Sequence, residues 1–319
     1  METIALTTLG LVTLSTSAAF AGDDLPSVAI VAAATNTANA QAEPRFTDPR
    51  DKLMATGLFS AVDIINATGI GDGVGTPPLE TLLEYDAVLT WSNTSFDDAV
   101  SMGDVLADYV DAGGGVVVGV FANTSTNPAR FLQGRWLSDP GYIAIPQNGG
   151  FVDGSAAGLG EVLIADHPIL DGVDSFFNQA PMGSNGIPFG AWRPAELSLT
   201  EGSTLVARWT TGETLIAIAP NPRVVELGFH PVSNAVNAGY WDQTTDGGLI
   251  MANALLFAAS QGDEVCPGDV TGDDTVDLAD LNLVLANFGS ETSEGDTNGD
   301  GIVDLADLNA VLAEFGSTC

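Results

Sequence analysis

The chain is poor in positive charge, cysteine and histidine. Eight Lys+Arg stand against 42 Asp+Glu in 319 residues, a formal net charge of −34 at pH 7. So acidic a surface repels nucleic acid phosphates and anionic membranes, and small cations are the expected partners. No segment supplies the roughly 18 continuous apolar residues of a membrane span. No G-x-G-x-x-G or G-x-x-x-x-G-K-[ST] loop is present to cradle a dinucleotide or a nucleoside triphosphate. The two histidines, His167 and His230, show no H-E-x-x-H spacing. A glycosidase carboxylate pair cannot be picked from so many acids without distances.

Cys266 and Cys319 are the two cysteines, and they bracket the carboxyl-terminal region. They are too few for a zinc site. In an oxidising compartment a Cys266–Cys319 bridge would restrict the unfolded chain by an entropy term on the order of 4 kcal/mol. Two unpaired thiols are the alternative.

The 45% hydrophobic content argues for buried cores and against an acidic disordered chain, and the length suits one large domain and one small one. Small residues at Ala19 and Ala21 precede Gly22 in the A-x-A pattern of signal cleavage, which predicts a signal peptide over 1–21 and a secreted, extracellular or cell-surface protein. The segment departs from that pattern in carrying Glu2 and neither Lys nor Arg before its apolar stretch.

Residues 22–260 read as one α/β domain, 261–265 as a linker and 266–319 as a repeat module. Short apolar runs at Val28–Ala34, Val62–Ile65, Ala87–Trp91 and Gly115–Phe121 alternate with helical stretches near Asp48–Phe59 and Phe96–Ala112. That order predicts a doubly wound, mostly parallel sheet covered on both faces. Ala122–Gly160 loses periodicity and is expected to run over the surface and wall a cleft above the strand ends. Further strands are expected at Glu161–Ala165, Thr204–Trp209, Thr214–Ala219 and Arg223–Phe229, the later ones, separated by Gly-containing turns such as Thr211-Gly212, as an antiparallel extension, and a helix at Gly248–Ala259 closes the domain with Leu249, Ile250, Ala254 and Phe257 inward.

The region 266–319 contains one loop–helix unit twice, the first copy opening at Asp269 and the second at Asp296. In the second copy Asp296, Asn298, Asp300, Asp304 and Asp307 occupy loop positions 1, 3, 5, 9 and 12. Ile302 offers its carbonyl at 7, and Gly301 permits the turn at 6. The first copy has Asp269, Thr271, Asp273, Thr275, Asp277 and Asp280 in the same places, with Asp274 at 6. This spacing wraps Ca²⁺, and the amide at 3 and glycine at 6 predict tighter binding in the second loop. The helices that follow carry Leu278, Leu281, Leu285 and Phe288, or Leu305, Leu308, Leu312 and Phe315, which are expected to pack on each other.

This carboxyl-terminal region resembles a type I dockerin, the duplicated loop–helix module that plugs into cohesins of polysaccharide-degrading assemblies. The resemblance implies two Ca²⁺ ions, a near-twofold surface and a cohesin-like partner. Loop positions 10 and 11 depart from it, with Leu278-Ala279 and Leu305-Ala306 where small hydroxyl residues often stand, and self-association through the repeats is the other expectation.

Residues 27–260 resemble, more weakly, the class I glutamine amidotransferase-like fold, including its trehalose-utilisation-type branch. AGGGVVVGVF, HPILDGV and VVELGFHPVSN with the following LIMANALLFAA carry the likeness. Catalytic members use an elbow Cys and a His-Pro-Glu segment. Here the segment is His230-Pro231-Val232, Phe121 and Ala122 stand at the elbow with Ser125 the nearest hydroxyl, and the domain has no Cys, so Cys-dependent amidotransfer is excluded. A binding or assembly domain is the leading expectation. The alternative is a carbohydrate-active hydrolase around His230, with Asp242 or Glu226 as its acid. His167 reads as a turn residue. Trp91, Trp136, Trp192, Trp209, Tyr240 and Trp241 are either core or a sugar-stacking platform, with Trp136, Trp192 and Trp241 the better candidates for the latter.

Overall fold

The computed structural model describes residues 25–147, 150–261, 268–273, 275–290 and 292–317. The expected leader, residues 262–265 of the linker, Asp274 and both cysteines, hence their pairing, lie outside the described residues.

The chain order is β1 (Ser27–Ala32), α1 (Pro44–Ala55), β2 (Ala61–Asn66), α2 (Leu79–Leu82), β3 (Ala87–Thr90), α3 (Ala99–Asp111) and β4 (Gly115–Val118). Then come α4 (Arg135–Ser138), β5 (Phe151–Val152), β6 (Ala157–Val162), β7 (Phe177–Asn178), β8 (Arg193–Pro194), β9 (Thr204–Trp209), β10 (Thr214–Ile218), β11 (Val224–Leu227) and α5 (Gly247–Ser260). The repeats contribute α6 (Leu278–Asn287) and α7 (Leu305–Glu314). One nine-stranded sheet runs β2-β1-β3-β4-β11-β10-β9-β6-β7. Its first five strands are parallel and the rest antiparallel, so the mixed α/β architecture with a large, mostly parallel sheet is as expected.

Because side chains alternate across a strand, β1 sends Val28, Ile30 and Ala32 to one layer and Ala29 and Val31 to the other. α1 and α5 cover the first layer with Phe46, Leu53, Ile250 and Leu255. α3 covers the second with Met102, Leu106 and Val110. Asp98 caps α3 by accepting from the N–H groups of Val100 and Ser101.

Several boundaries move for local reasons. α1 begins at Pro44, which suits a first helical position, and ends before Gly57 at φ +72°, so Phe59 lies outside it. β6 lies at Ala157–Val162, and Leu163 and Ile164 follow it exposed. α5 buries much of its circumference, including Met251, Ala252 and Ala258, while Leu249 and Phe257 sit only half-buried. The excursion after β4 does not simply run over the surface. Leu132, Trp136, Tyr142, Ala144 and Ile145 enter the second layer.

In the repeats the expected stripe does not form. The core there is Val276, Val284, Val303 and Val311, with Leu281 and Leu308 partly buried against it. Leu278, Leu285, Phe288, Leu305, Leu312 and Phe315 are each about half exposed. The reason is reciprocal backbone pairing between the loops and the helix ends. Gly289 N–H donates to Val303 O (2.7 Å) and Gly316 N–H to Val276 O (2.8 Å), which draws the loop valines inward beside Val284 and Val311.

Glu226 on β11 is buried beneath the excursion. Its Oε1 accepts from Ala144 N–H at 2.9 Å, while Oε2 and the neighbouring Asn123 Oδ1 have no donor. Burial pushes its carboxyl up to about 8. The carboxyl is therefore protonated below that pH, since the Ala144 and Ile145 N–H groups and the Asn123 side chain, which favour its charged form, offset the burial only in part. The native state therefore holds this proton where the unfolded chain releases it, and the contribution to stability is full below the unfolded carboxyl pKa and lost as pH rises through about 8. Glu226→Gln is expected to remove that dependence: denaturant unfolding at pH 5 and pH 8 should show the variant gaining on the parent with pH, by at most about 1.4 kcal/mol per unit.

Candidate functional site

The carboxyl ends of the parallel strands converge on His230. Trp91 follows β3, Phe121 follows β4 and His230 follows β11. In sheets of strand order 2-1-3-4 this edge is where ligands bind.

The segment 228–233 that carries His230 is fastened at four points. Trp209 Nε1 donates to Gly228 O (3.0 Å), Val120 N–H to Phe229 O (3.1 Å) and Trp241 Nε1 to Pro231 O (3.1 Å). Asp48 on α1 accepts from Ser233 N–H at 2.7 Å and from Ser233 Oγ at 3.0 Å.

His230 is 3% exposed and lies flat on Tyr240, with ring centroids 4.5 Å apart and planes 7° from parallel. Trp91 and Phe121 meet it edge-on at 6.5 and 6.2 Å. Its Nδ1 accepts weakly from Val232 N–H (3.4 Å), and its Nε2 has no partner. Burial, reinforced by the Arg130 and Arg45 charges, depresses the imidazole to about 3. Trp192 extends the cluster, 5.6 Å from Tyr240 and 5.8 Å from Phe121, and Phe151 packs 5.3 Å from Phe121.

Two arginines complete the site. Arg130 lies over the Phe121 ring at 4.5 Å and donates to the backbone and side-chain oxygens of Asn93. Burial lowers its pKa. Arg45, on the first turn of α1, hydrogen-bonds Tyr240 and pairs loosely with Glu43 at 3.5 Å. Tyr240 is raised by burial and partly restored by the Arg45 and Arg130 charges.

Neither acid considered as a partner for His230 reaches it. Glu226 points to the opposite face of the sheet from Val225 and Leu227, and Asp242 caps its own turn by accepting from Thr244 N–H (3.0 Å) and Gln179 Nε2 (3.1 Å). Trp136 is stacked on Tyr142 at 5.3 Å inside the second layer, and Trp209 and Trp241 serve as the clamps just described. Of the three better platform candidates only Trp192 stands at the site. His167 caps a short 3-10 turn, accepting from Ile169 N–H at 3.2 Å, as a turn residue should. Ser125 is buried and accepts from Asn127 N–H.

Arg45, Arg130 and Phe151 were not singled out in the sequence. The scarcity of basic residues was the signal that pointed to the arginines: in a chain with only eight Lys+Arg, each one half-buried inside the domain warrants attention.

In the first repeat loop three carboxylates converge. One oxygen each from Asp269, Asp273 and Asp280 falls within 4.8 Å of the others. Oxygens on one Ca²⁺ at 2.3–2.6 Å are necessarily within about 5 Å of each other, so this set fits the ion. In the second loop Asp296 accepts from Gly299 and Gly301 N–H, Asn298 Oδ1 from Asp300 N–H, and Asp307 from Thr297 and Asp304 N–H. Gly301 is left-handed at φ +90°. Thr271 bonds Asp280 through its hydroxyl (2.9 Å). Asp277 and Asp304 each cap the following helix, and Asp280 and Asp307 complete capping boxes. The carbonyls of Thr275 and Ile302 stand at loop position 7.

No family model and no curated protein matches the chain. Solved structures similar to it include a ThuA-like protein from Bacteroides uniformis, 15% identical, TM-score 0.49, covering 77% of this chain and 96% of that one. A cytoplasmic protein of Salmonella typhimurium is 11% identical, TM-score 0.45, with 73% and 98% covered. A protein described as a GMP synthase subunit, from Thermoplasma acidophilum, is 11% identical, TM-score 0.44, with 76% and 98% covered.

Two outcomes follow from this geometry. His230, protonated in the unfolded chain below about 6.5 but neutral in the fold, contributes stability that is present above that pH and lost as pH falls toward about 3. Its ring resonance, assigned with a His167→Asn variant, should not titrate by NMR between pH 5 and 8. Trp241→Phe keeps the packing but leaves Pro231 O without its donor, and calorimetric or denaturant unfolding should show a loss of about 1–3 kcal/mol.

Proposed function

We propose that the chain is a secreted, calcium-binding, dockerin-type protein whose amidotransferase-like domain binds a carbohydrate and does not transform it, in extracellular polysaccharide breakdown. The observation that carries the binding half is the state of His230. General-base catalysis needs an imidazole that can take a proton near the working pH and a group that orients it. His230 is held neutral down to about pH 3, and among the described residues it has no carboxylate in hydrogen-bond reach. Beyond it stand Trp192 and Phe151, partly exposed aromatic rings of the kind on which sugar rings stack.

The assembly half is supported by the repeats. Both loops carry ligand spacing, three carboxylates of the first converge, and Leu278, Leu285 and Phe288 with Leu305, Leu312 and Phe315 present related half-exposed apolar faces. Such faces suit docking to a cohesin-like protein or to a second copy of the module. Among the described residues no helix is long and apolar enough to cross a membrane.

Calorimetric titration of the whole chain with Ca²⁺ is expected to show two sites, the second loop tighter. Asp273→Ala should remove the weaker site and Asp300→Ala the stronger. A titration with no heat of binding, and a melting temperature indifferent to chelator, would overturn the calcium reading.

A further inference from the structure

Four side-chain donors in the His230 cluster lack an acceptor. They are Nε of Arg45, Nε of Arg130, Nε1 of Trp91 and Nε2 of His230. The histidine belongs with the donors because Nδ1 accepts from Val232 N–H, which leaves the neutral ring its single proton on Nε2. Trp91 and His230 are 0% and 3% exposed, so bulk water does not meet this need. All four are donors, and buried donors are ordinarily paired.

The charge at this place runs against the rest of the molecule. In a chain of net charge −34, Arg130 has no carboxylate within ion-pair distance among the described residues. Its polar partners are the oxygens of Asn93. Arg45 has Glu43, but loosely, at 3.5 Å with both side chains partly exposed. A half-buried guanidinium left without a counter-ion in so acidic a protein has a place kept for one. A sugar hydroxyl can accept from these donors, but it brings no charge to set against the two guanidinium groups. A carboxylate brings two oxygens, no proton and a planar shape that guanidinium N–H groups match.

We propose that the site over the strand ends takes a carboxylate carried on a sugar, so that the ligand is an acidic, uronate-type saccharide. Arg130 and Arg45 supply the charge, Trp91 and His230 supply neutral donors, and Trp192 offers a ring face to the sugar. This rests on the carbohydrate-binding reading and narrows it.

The test titrates the full-length protein, by calorimetry and tryptophan fluorescence, with an oligogalacturonide, with the methyl ester of the same oligomer, and with succinate. The acid oligomer is expected to bind at least tenfold tighter than its ester and to weaken as salt is raised. Arg130→Met should cost at least tenfold in affinity for the acid and little for the ester. Arg45→Gln provides the same comparison if Arg130→Met melts below the assay temperature. Equal affinity for acid and ester overturns the carboxylate and leaves carbohydrate binding standing. Succinate binding as tightly as the oligomer keeps the carboxylate but overturns the saccharide. Binding of none of the three overturns both readings.

Discussion

The chain that leaves β11 has buried carbonyls, and these must be paired. Trp209 and Trp241 supply the donors, through Gly228 O and Pro231 O, and Asp48 on α1 takes up Ser233. Without these contacts His230 would have no fixed place. With them it lies flat on Tyr240, within the influence of Arg45 on the same helix as Asp48. The site is therefore a by-product of satisfying backbone at the carboxyl edge of a sheet buried on both faces.

That arrangement makes the imidazole chemically quiet and the surroundings receptive. A histidine deprived of water and flanked by two guanidinium charges does not take up a proton near neutrality. The same burial that silences it also leaves its Nε2, and the neighbouring indole and guanidinium Nε groups, without acceptors. Unpaired buried donors each cost about 1–3 kcal/mol, and a molecule retains several together where something else satisfies them. Glu226, on the other face of the sheet, shows the complementary case of an acid kept protonated by burial and so not part of this charge balance.

The repeats solve a different problem with the same economy. Of their apolar residues the two short helices fully bury only Val284 and Val311, and each loop valine is held by a backbone bond from the other unit's helix end. The leucines and phenylalanines that a helical wheel directs inward are thereby left half exposed, and the module keeps an apolar surface on the outside. The capping boxes of Asp277 with Asp280 and Asp304 with Asp307 tie each acidic loop to its helix.

The alternation of apolar runs and amphipathic stretches was enough to read the parallel sheet, its antiparallel extension and the duplicated loops, because those depend on local period and fixed spacing. Boundaries such as Pro44 and Gly57 yielded to capping chemistry visible in the same letters. The sequence also showed His230 at a strand end, and it excluded a cysteine nucleophile by composition. It did not show that Trp136, Trp209 and Trp241 are fully buried while Trp192 is only partly so, nor that Arg45 and Arg130, far apart along the chain, share one histidine. Those facts depend on which long loop folds into which layer, a matter of packing between segments distant in sequence. Sequence by itself determined the framework and the loop spacing; only the tertiary structure decided which donors were left without partners.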